Sequence, residues 1–247
     1  MVKLILLRHG ESQWNLENRF TGWKDVPLTD TGTHEATFSG NQLRKLNINI
    51  NSIYTSLLKR ATQTTDIVAD IIEFPKGEIQ YDWRLNERHY GALQGLNKSE
   101  TAAKYGEDQV HTWRRSFDIP PPLLSKNDKR HPIFQKQFAA IDGELPAGES
   151  LKNVIKRLEP FWNDYFKSFK ENKGNHLIVA HSNSLRAIIK ILDKLSNQDI
   201  TSVNIPTGVP LVYEFDKNSN IISKEYLIDK DRLAKKQAVV ENQGKIQ

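Results

Sequence analysis

Near the amino terminus, residues 3–11 read KLILLRHGE. The apolar run over 3–7 predicts a buried strand, because a short continuous apolar segment is typical of a strand covered on both faces of a parallel sheet. His9 then lies at the carboxyl end of that strand. Open α/β sheets bind ligands at this edge, so the stretch predicts both a fold class and a place for a site.

A second strand-end histidine occurs late in the chain, where residues 176–186 read HLIVAHSNSLR. The run 176–180 predicts a strand, and His181 follows it directly. Each strand-end histidine has an arginine close by. A neutral imidazole can attack phosphorus, and guanidinium groups match phosphoryl oxygens in charge and geometry. Together the two stretches indicate a phosphoryl site, whereas either histidine alone could be structural.

The hydrophobic pattern predicts alternating strands and helices, which is typical of βαβ units. Strands are predicted at 3–7, 51–55, 79–82, 176–180 and 211–215, and helices at 30–46, 58–72, 97–118, 149–170, 184–194 and 229–240, with 120–148 irregular. The predicted fold class is therefore α/β, with a mainly parallel central sheet flanked by helices in three layers.

Length and composition fit one globular domain. The chain has 247 residues, of which 38% are hydrophobic and 26% charged, and no linker or repeat of fixed period divides it. We predict a single domain over 1–247, with 95–148 as an inserted helical and irregular region and 229–247 as a C-terminal tail.

The composition also limits which kinds of ligand the protein is predicted to bind and in which cellular compartment it is predicted to occur. With no cysteine, the chain has neither disulfides nor thiolate metal sites, and its seven histidines form no His-x-His or HExxH motif, so we predict no metal. A formal charge of +5 favours anionic partners. No basic stripe or reading motif indicates nucleic acid, and no segment indicates a signal peptide or membrane span. We predict a cytoplasmic protein that binds small phosphorylated metabolites.

Longer motifs surround both histidines. They are RHGESQWN at 8–15, FTGW at 20–23, YTSLLKRATQT at 54–64, WRLNERHYG at 83–91, WRRSFD at 113–118, HSNSLR at 181–186 and NIPTGVPL at 204–211. In this order they resemble the histidine phosphatase superfamily and its cofactor-dependent phosphoglycerate mutase branch, over essentially the whole chain. The resemblance implies that family's fold.

The resemblance also implies roles for individual residues. His9 is implied as the phosphorylated nucleophile, Glu87 as the proton donor and His181 as a group that stabilises the transferring phosphoryl charge. Arg8 and Arg60 complete the implied catalytic set. The implied substrate-binding residues are Ser12, Asn15, Thr21, Gly22, Arg88, His89, Tyr90, Lys98, Arg114, Arg115, Ser182 and Asn183.

Two of these assignments carry expectations about geometry. His89 is expected to line the site because it adjoins Glu87 and Tyr90 in the chain. Arg114 and Arg115 are adjacent, so on a regular helix they point about 100° apart and are not expected to face one partner fully.

The implied reaction interconverts 3-phosphoglycerate and 2-phosphoglycerate through a phosphohistidine, in glycolysis and gluconeogenesis, with 2,3-bisphosphoglycerate as the phosphoryl primer. The same histidines would serve a bisphosphoglycerate mutase or a phosphatase. Ser182 replaces the family's usual glycine, which leaves open a catalytically weakened paralogue that acts as a phosphate-binding or interaction protein. We expect Ser182 to crowd His181 or the substrate rather than to donate a hydrogen bond, because the other site residues already offer many donors. Glycine there would remove the Cβ and permit torsions with positive φ. The oligomeric state stays open, with a homo-oligomer among the alternatives.

Overall fold

A computed structural model of the chain describes residues 1–172 and 174–243. The strands are β1 (Val2–Arg8), β2 (Ile50–Thr55), β3 (Gln80–Tyr81), β4 (Asn175–Ala180), β5 (Leu211–Phe215) and β6 (Ile221–Tyr226). The helices are α1 (Gln13–Leu16), α2 (Asp30–Lys45), α3 (Lys59–Ile71), α4 (Lys98–Tyr105), α5 (Glu107–Arg115), α6 (Leu151–Asn172), α7 (Ser182–Leu192), α8 (Asp199–Ser202) and α9 (Lys230–Asn242). The end of the predicted tail, 244–247, lies outside the described residues.

All six strands belong to one mixed sheet with the order β3-β2-β4-β1-β5-β6. The strands β3, β2, β4 and β1 pair with their neighbours in parallel. In contrast, β5 pairs antiparallel with both β1 and β6. The predicted α/β fold with a mainly parallel sheet and flanking helices is confirmed. The strand β6 was not predicted, and it lies at the edge of the sheet with most of its side chains exposed or half-buried.

Helices cover both faces of this sheet because successive residues of a buried strand point to opposite sides. On one side, Leu4 and Leu6 of β1 pack in an apolar cluster with α6 and α7. On the other side, Ile5 and Leu7 pack in a second cluster with residues of α2 and α3, such as Leu43. The sheet and the helices on its two faces form the three predicted layers.

The two strand-end histidines come together because β1 and β4 are neighbours in the sheet. The register pairs Arg8 with Ala180, so His9 and His181 each follow one member of that pair. The amide of His9 donates a hydrogen bond to the Ala180 carbonyl at 3.0 Å. β2 lies on the other side of β4, and its carboxyl end leads to α3. The segments that follow the neighbouring parallel strands β2, β4 and β1 therefore all begin at the carboxyl edge of the sheet.

The region 95–148 contains less regular structure than the rest of the chain. The helix predicted over 97–118 is two helices, α4 and α5, separated at Gly106, whose φ of +88° is a backbone conformation that favours glycine. Between 120 and 148 there are only short 3-10 turns, as the irregular pattern predicts. Phe138, from one of these turns, is buried against Trp23 and attaches the region to the rest of the fold.

In the ranges 1–172 and 174–243, no helix is both long enough and apolar enough to cross a bilayer.

Candidate active site

A cavity opens at the carboxyl edge of the sheet. Its lining comes from the end of β1 and the segment after it, from the start of α3, from the Glu87 loop, from α4, α5 and α7, and from α9 and the residue after it. The lining residues are Arg8, His9, Asn15, Arg19, Thr21, Gly22, Arg60, Glu87, Tyr90, Lys98, Arg114, Arg115, Ser182, Asn183, Arg186, Val240 and Gln243. Most of the predicted site residues thus come together from distant parts of the chain.

His9 is held with one ring nitrogen available as a nucleophile. Its Nδ1 lies 2.6 Å from the Gly10 carbonyl oxygen, which can only accept, so Nδ1 carries the proton. The Arg60 Nε donates to Nε2 at 3.2 Å, which requires a lone pair there. Burial, with Arg60 and Arg8 as nearby cations, lowers the pKa of His9 well below its ordinary value. The imidazole is therefore neutral at neutral pH.

Arg60 is the second residue of α3 and is buried. Its guanidinium donates to the carbonyls of Gly22 at 2.9 Å and Lys24 at 3.1 Å as well as to His9. Burial lowers its pKa to about 10, so it stays charged at neutral pH. These contacts fix one cation beside the His9 nitrogen that would bond to phosphorus.

His181 lies next to His9 but does not line the cavity. The two ring centroids are 4.9 Å apart, with an angle of 59° between the planes. The Nε2 of His181 shares a hydrogen bond of 2.7 Å with the Ser56 hydroxyl, a residue that we did not predict as part of the site. Burial and the nearby Arg60 lower the pKa of His181 well below its ordinary value. A second neutral imidazole, that of His181, thus lies next to the His9 ring and outside the cavity lining.

The Glu87 carboxylate reaches the cavity from the loop after β3. Its Oε1 accepts hydrogen bonds from the amide of Arg88 at 2.8 Å and from the amide and side chain of Asn183 at 3.1 and 2.9 Å. Asn183 is the second residue of α7, so these bonds tie the Glu87 loop to the His181 loop. All three bonds fall on one oxygen, and Glu87 is only 7% exposed.

The cavity is strongly cationic. Among its described lining residues, seven basic side chains face a single carboxylate, that of Glu87; the bases are Arg8, Arg19, Arg60, Lys98, Arg114, Arg115 and Arg186. Burial is the main cause that lowers the pKa of Lys98 well below its ordinary value, and it lowers that of Arg114 to about 10 and that of Arg186 to about 9. Desolvated, mutually repelling cations of this kind favour a bound polyanion.

Arg114 and Arg115 both line the cavity, and the expectation that they do not face one partner fully stays a prediction. They are the last two residues of α5, where long side chains can curve towards the same space. Arg115 also donates to the Asn204 side chain at 2.6 Å. The angle of about 100° separates the Cα–Cβ bonds of the two residues. Each guanidinium lies several bonds beyond Cβ, so both side chains can reach the same cavity.

Three predicted substrate contacts, Ser12, Arg88 and His89, lie outside the cavity lining, and their roles stay predictions. Ser12 caps α1 through reciprocal hydrogen bonds with Asn15. The Arg88 guanidinium lies 4.6 Å from the Tyr90 ring centre and donates to the Arg114 carbonyl. His89 packs edge-on to a buried tryptophan and accepts from the Gly91 amide, while burial lowers its pKa to about 3.

Four lining residues were not assigned to the site in advance: Arg19, Arg186, Val240 and Gln243. Arg186 stands in the HSNSLR motif, so the sequence did carry a signal for it. Val240 lies in the last turn of α9 and Gln243 directly follows that helix, in the region predicted as a C-terminal tail. The Lys98 ammonium donates to the Gln243 side chain at 3.2 Å, and Arg114 to the Gln243 carbonyl. No local pattern could have predicted that contact.

No group of three or more potential metal-ligating side chains occurs in the part of the chain that the structure describes. The prediction that no metal takes part stays a prediction.

Ser182 begins α7 and is not among the residues with positive φ. The torsional reason for crowding is therefore wrong, and the half-buried hydroxyl lines the cavity. We now expect Ser182→Gly to raise the KM for the phosphorylated substrate about 2–12-fold, the effect of one lost hydrogen bond, with little change in kcat. Steady-state kinetics of Ser182→Gly and Ser182→Ala would test this. Faster turnover in the glycine variant alone would restore the crowding explanation.

Buried neutral histidines should make the fold sensitive to acid. Burial lowers the pKa of His89 to about 3 and that of His176 to about 4, against about 6.5 in the unfolded chain. Below pH 6.5 the unfolded state binds more protons, so the free energy of unfolding falls as pH falls. His89 alone should contribute a loss of about 2 kcal/mol between pH 7 and pH 5. Urea denaturation at both pH values measures this.

A His176→Phe variant provides the control for the acid prediction, because phenylalanine fits the surrounding aromatic cluster and cannot titrate. Its free energy of unfolding should depend less steeply on pH than that of the parent chain. An equal free energy of unfolding at pH 7 and pH 5 in the parent would contradict the prediction.

Comparisons with known proteins agree with this geometry. A family model described as histidine phosphatase superfamily (branch 1) matches residues 4–129 and 123–225. The chain is 51% identical over 245 residues to a protein of Treponema denticola named 2,3-bisphosphoglycerate-dependent phosphoglycerate mutase, and the match covers 99% of both chains.

Solved structures show the same fold at lower identity. A mycobacterial glucosyl-3-phosphoglycerate phosphatase has a TM-score of 0.68 at 21% identity, with 92% of this chain and 97% of that chain covered. Bacillus stearothermophilus YhfR has a TM-score of 0.64 at 24% identity, with 90% and 94% covered.

Proposed function

The chain belongs to the histidine phosphatase superfamily, and we propose that it interconverts 3-phosphoglycerate and 2-phosphoglycerate as a 2,3-bisphosphoglycerate-dependent mutase. One observation carries the proposal. A neutral histidine, His9, presents Nε2 to a cavity in which seven cations surround a single carboxylate. The relative from Treponema denticola, which matches this chain from end to end, carries that activity in its name.

In the proposed reaction His9 already carries a phosphoryl group on Nε2 when 3-phosphoglycerate binds. The free substrate hydroxyl gives its proton to the Glu87 carboxylate and attacks the phosphorus, and the P–N bond breaks with its electron pair returning to Nε2, which gives bound 2,3-bisphosphoglycerate. Nε2 then attacks the other phosphoryl group; its P–O ester bond breaks, and the departing oxygen keeps the electron pair and takes the proton back from the carboxylic acid of Glu87, which gives 2-phosphoglycerate and restores the phosphohistidine. One carboxyl group thus serves as acid and base in turn.

The arginines and the lysine would hold the substrate and stabilise charge on the phosphoryl oxygens. Arg60 lies beside His9 Nε2 and is already fixed by two carbonyls, so little reorganisation is needed when charge develops. Lys98, Arg114 and Arg115 lie where a carboxylate or a second phosphate of the substrate would be bound. Asn15, Thr21 and Gly22 offer further polar groups on the same wall.

2,3-Bisphosphoglycerate would supply the first phosphoryl group for His9, and the cavity suits such a polyanion. Burial, with Arg114 and Arg8 as nearby cations, lowers the pKa of Lys98. A bound polyanion would raise that pKa by restoring an opposite charge nearby. The same proposal places the chain in the cytoplasm with glycolysis and gluconeogenesis, and its partners are small phosphorylated metabolites.

The proposal is tested by assaying the purified chain for mutase activity with and without 2,3-bisphosphoglycerate in excess chelator. We expect turnover that requires the bisphosphate and is unaffected by the chelator. Release of inorganic phosphate without isomerisation of the phosphoglycerate would mean that the chain is a phosphatase and not a mutase. Activity that the chelator abolishes, or no activity with any phosphoglycerate, would overturn the proposal.

A further inference from the structure

The loop that carries Glu87 has little regular structure of its own. A 3-10 turn spans Trp83–Leu85, and the chain then runs through Asn86 to Tyr90 without a helix or strand. Proton transfer needs the carboxyl group at hydrogen-bond distance from a substrate oxygen. Something outside the loop must therefore fix its backbone.

Arg157, from the middle of α6, holds this backbone through three carbonyls. Its Nη1 donates to the Arg84 carbonyl at 2.6 Å, and its Nη2 donates to the carbonyls of Asn86 and Glu87, both at 2.9 Å. The Glu87 carbonyl also accepts from the Trp23 indole nitrogen at 2.6 Å. The planar guanidinium thus fixes the main chain from Arg84, within the turn, to Glu87.

Glu149 forms a salt bridge with the same guanidinium, and its Oε2 accepts from Arg157 Nη2 at 3.2 Å. Its Oε1 accepts from the Arg157 Nε at 2.6 Å, and its Oε2 accepts from the His89 amide at 2.8 Å. The His89 carbonyl accepts in turn from the Glu149 amide at 2.8 Å. The side chains of Arg157 and Glu149 are 9% and 4% exposed. The pair therefore clamps the chain on both sides of Glu87.

We propose that Arg157 is a positioning residue for proton transfer by Glu87. Arg157 does not line the cavity, so it acts through the Glu87 backbone and not on the substrate. The inference rests on the proposed function, in which Glu87 carries the proton. Lysine could keep the charge and pair with Glu149, but one ammonium cannot reproduce the planar fork that reaches three carbonyls.

The test compares two phosphoryl donors that phosphorylate His9 but differ in the leaving oxygen. With 2,3-bisphosphoglycerate the leaving alkoxide must take a proton from Glu87 as the P–O bond breaks. With 2,4-dinitrophenyl phosphate the phenolate keeps the electron pair and departs without a proton. A displaced Glu87 should therefore slow the first donor and spare the second, whereas a generally damaged site should slow both.

In Arg157→Lys we expect His9 phosphorylation by 2,3-bisphosphoglycerate to fall about 10–100-fold, the scale of a misplaced catalytic group. Phosphorylation by the dinitrophenyl ester should fall no more than about threefold, since it needs no acid. Rapid-quench and stopped-flow measurements of the first turnover give the two rates. An equal loss with both donors would overturn the inference.

Arg130→Lys is the matched control. Arg130 also pairs with an acid, Asp128, and donates to two backbone carbonyls, those of Ala92 and Gln94, but it has no contact with the Glu87 loop. This variant should show no selectivity between the donors. The same loss in Arg130→Lys as in Arg157→Lys would also overturn the inference.

Two further variants separate the possible failures. If Glu87→Gln slows both donors equally, the proton-carrier role in the proposed function is wrong. If Glu87→Gln is selective and Arg157→Lys is not, only the present inference is wrong. Should thermal unfolding show that Arg157→Lys is not folded at the assay temperature, Glu149→Gln keeps the shape of the pair and removes its charge. Glu149→Gln must then show the selectivity, and an unselective loss would overturn the inference.

Discussion

His9→Ala is expected to abolish both the phosphoenzyme and mutase turnover, with a loss on the order of 10⁴–10⁶, the scale seen when a covalent enzyme loses its nucleophile. The reason is local. Nε2 of His9 is a histidine nitrogen held unprotonated by a donor from Arg60 and by a proton fixed on Nδ1. The measurement is incubation with 2,3-bisphosphoglycerate followed by mass spectrometry, which should find an acid-labile, base-stable adduct on His9 of the parent chain.

His176→Phe is the control for this variant as well. His176 is another buried histidine of the same sheet, but its ring packs among aromatic side chains such as Phe169 and it does not line the cavity. Its replacement should leave phosphoenzyme formation at the parental rate. A stoichiometric adduct on another residue, together with normal turnover of His9→Ala, would remove the mechanism.

Sequence reasoning located the two histidines because parallel strands end at one edge of a sheet. The runs before His9 and His181 are apolar and short, and neighbouring parallel strands leave no other place for the residues that follow them. The register of β1 and β4 then brings the rings within 4.9 Å. This part of the site was predictable from a rule that depends on backbone direction alone.

The direction of individual side chains in loops was not predictable in this way. His89 lies two residues after Glu87 in the sequence, yet its ring packs against Trp23 and does not line the cavity. An irregular backbone has no fixed period that relates the directions of successive side chains. The same lack of a rule hid Val240 and Gln243, whose approach to the cavity depends on where α9 packs after the last strand. The exposed edge strand β6 gave no clear alternation either.

Contacts between loops were also invisible in the sequence. Arg157 lies on a helix whose apolar stripe indicates packing, and nothing in that pattern distinguishes it from the solvated basic residues nearby. Only the fold shows that the helix turns this guanidinium towards three carbonyls of the Glu87 loop. Positioning residues of this kind can be found from geometry but not from local pattern.

Glu87→Gln is expected to retain substrate binding and to lose mutase turnover about 10²–10⁴-fold, the usual contribution of general acid–base catalysis. The structure makes this substitution unusually clean. All three hydrogen bonds to the carboxylate fall on Oε1, from Arg88 and Asn183, and the amide oxygen of glutamine can accept the same three. The side chain should therefore stay in place, while its amide can neither give nor take the proton.

Two measurements on Glu87→Gln separate chemistry from binding. Calorimetric titration with 3-phosphoglycerate should give a Kd within about threefold of the parental value, since the cationic side chains that hold the substrate are unchanged. Turnover should fall by the expected factor at saturating substrate. Near-parental turnover would assign Glu87 to structure and require another proton carrier, whereas a large loss of binding would mean that the carboxylate's charge holds the cationic cavity together.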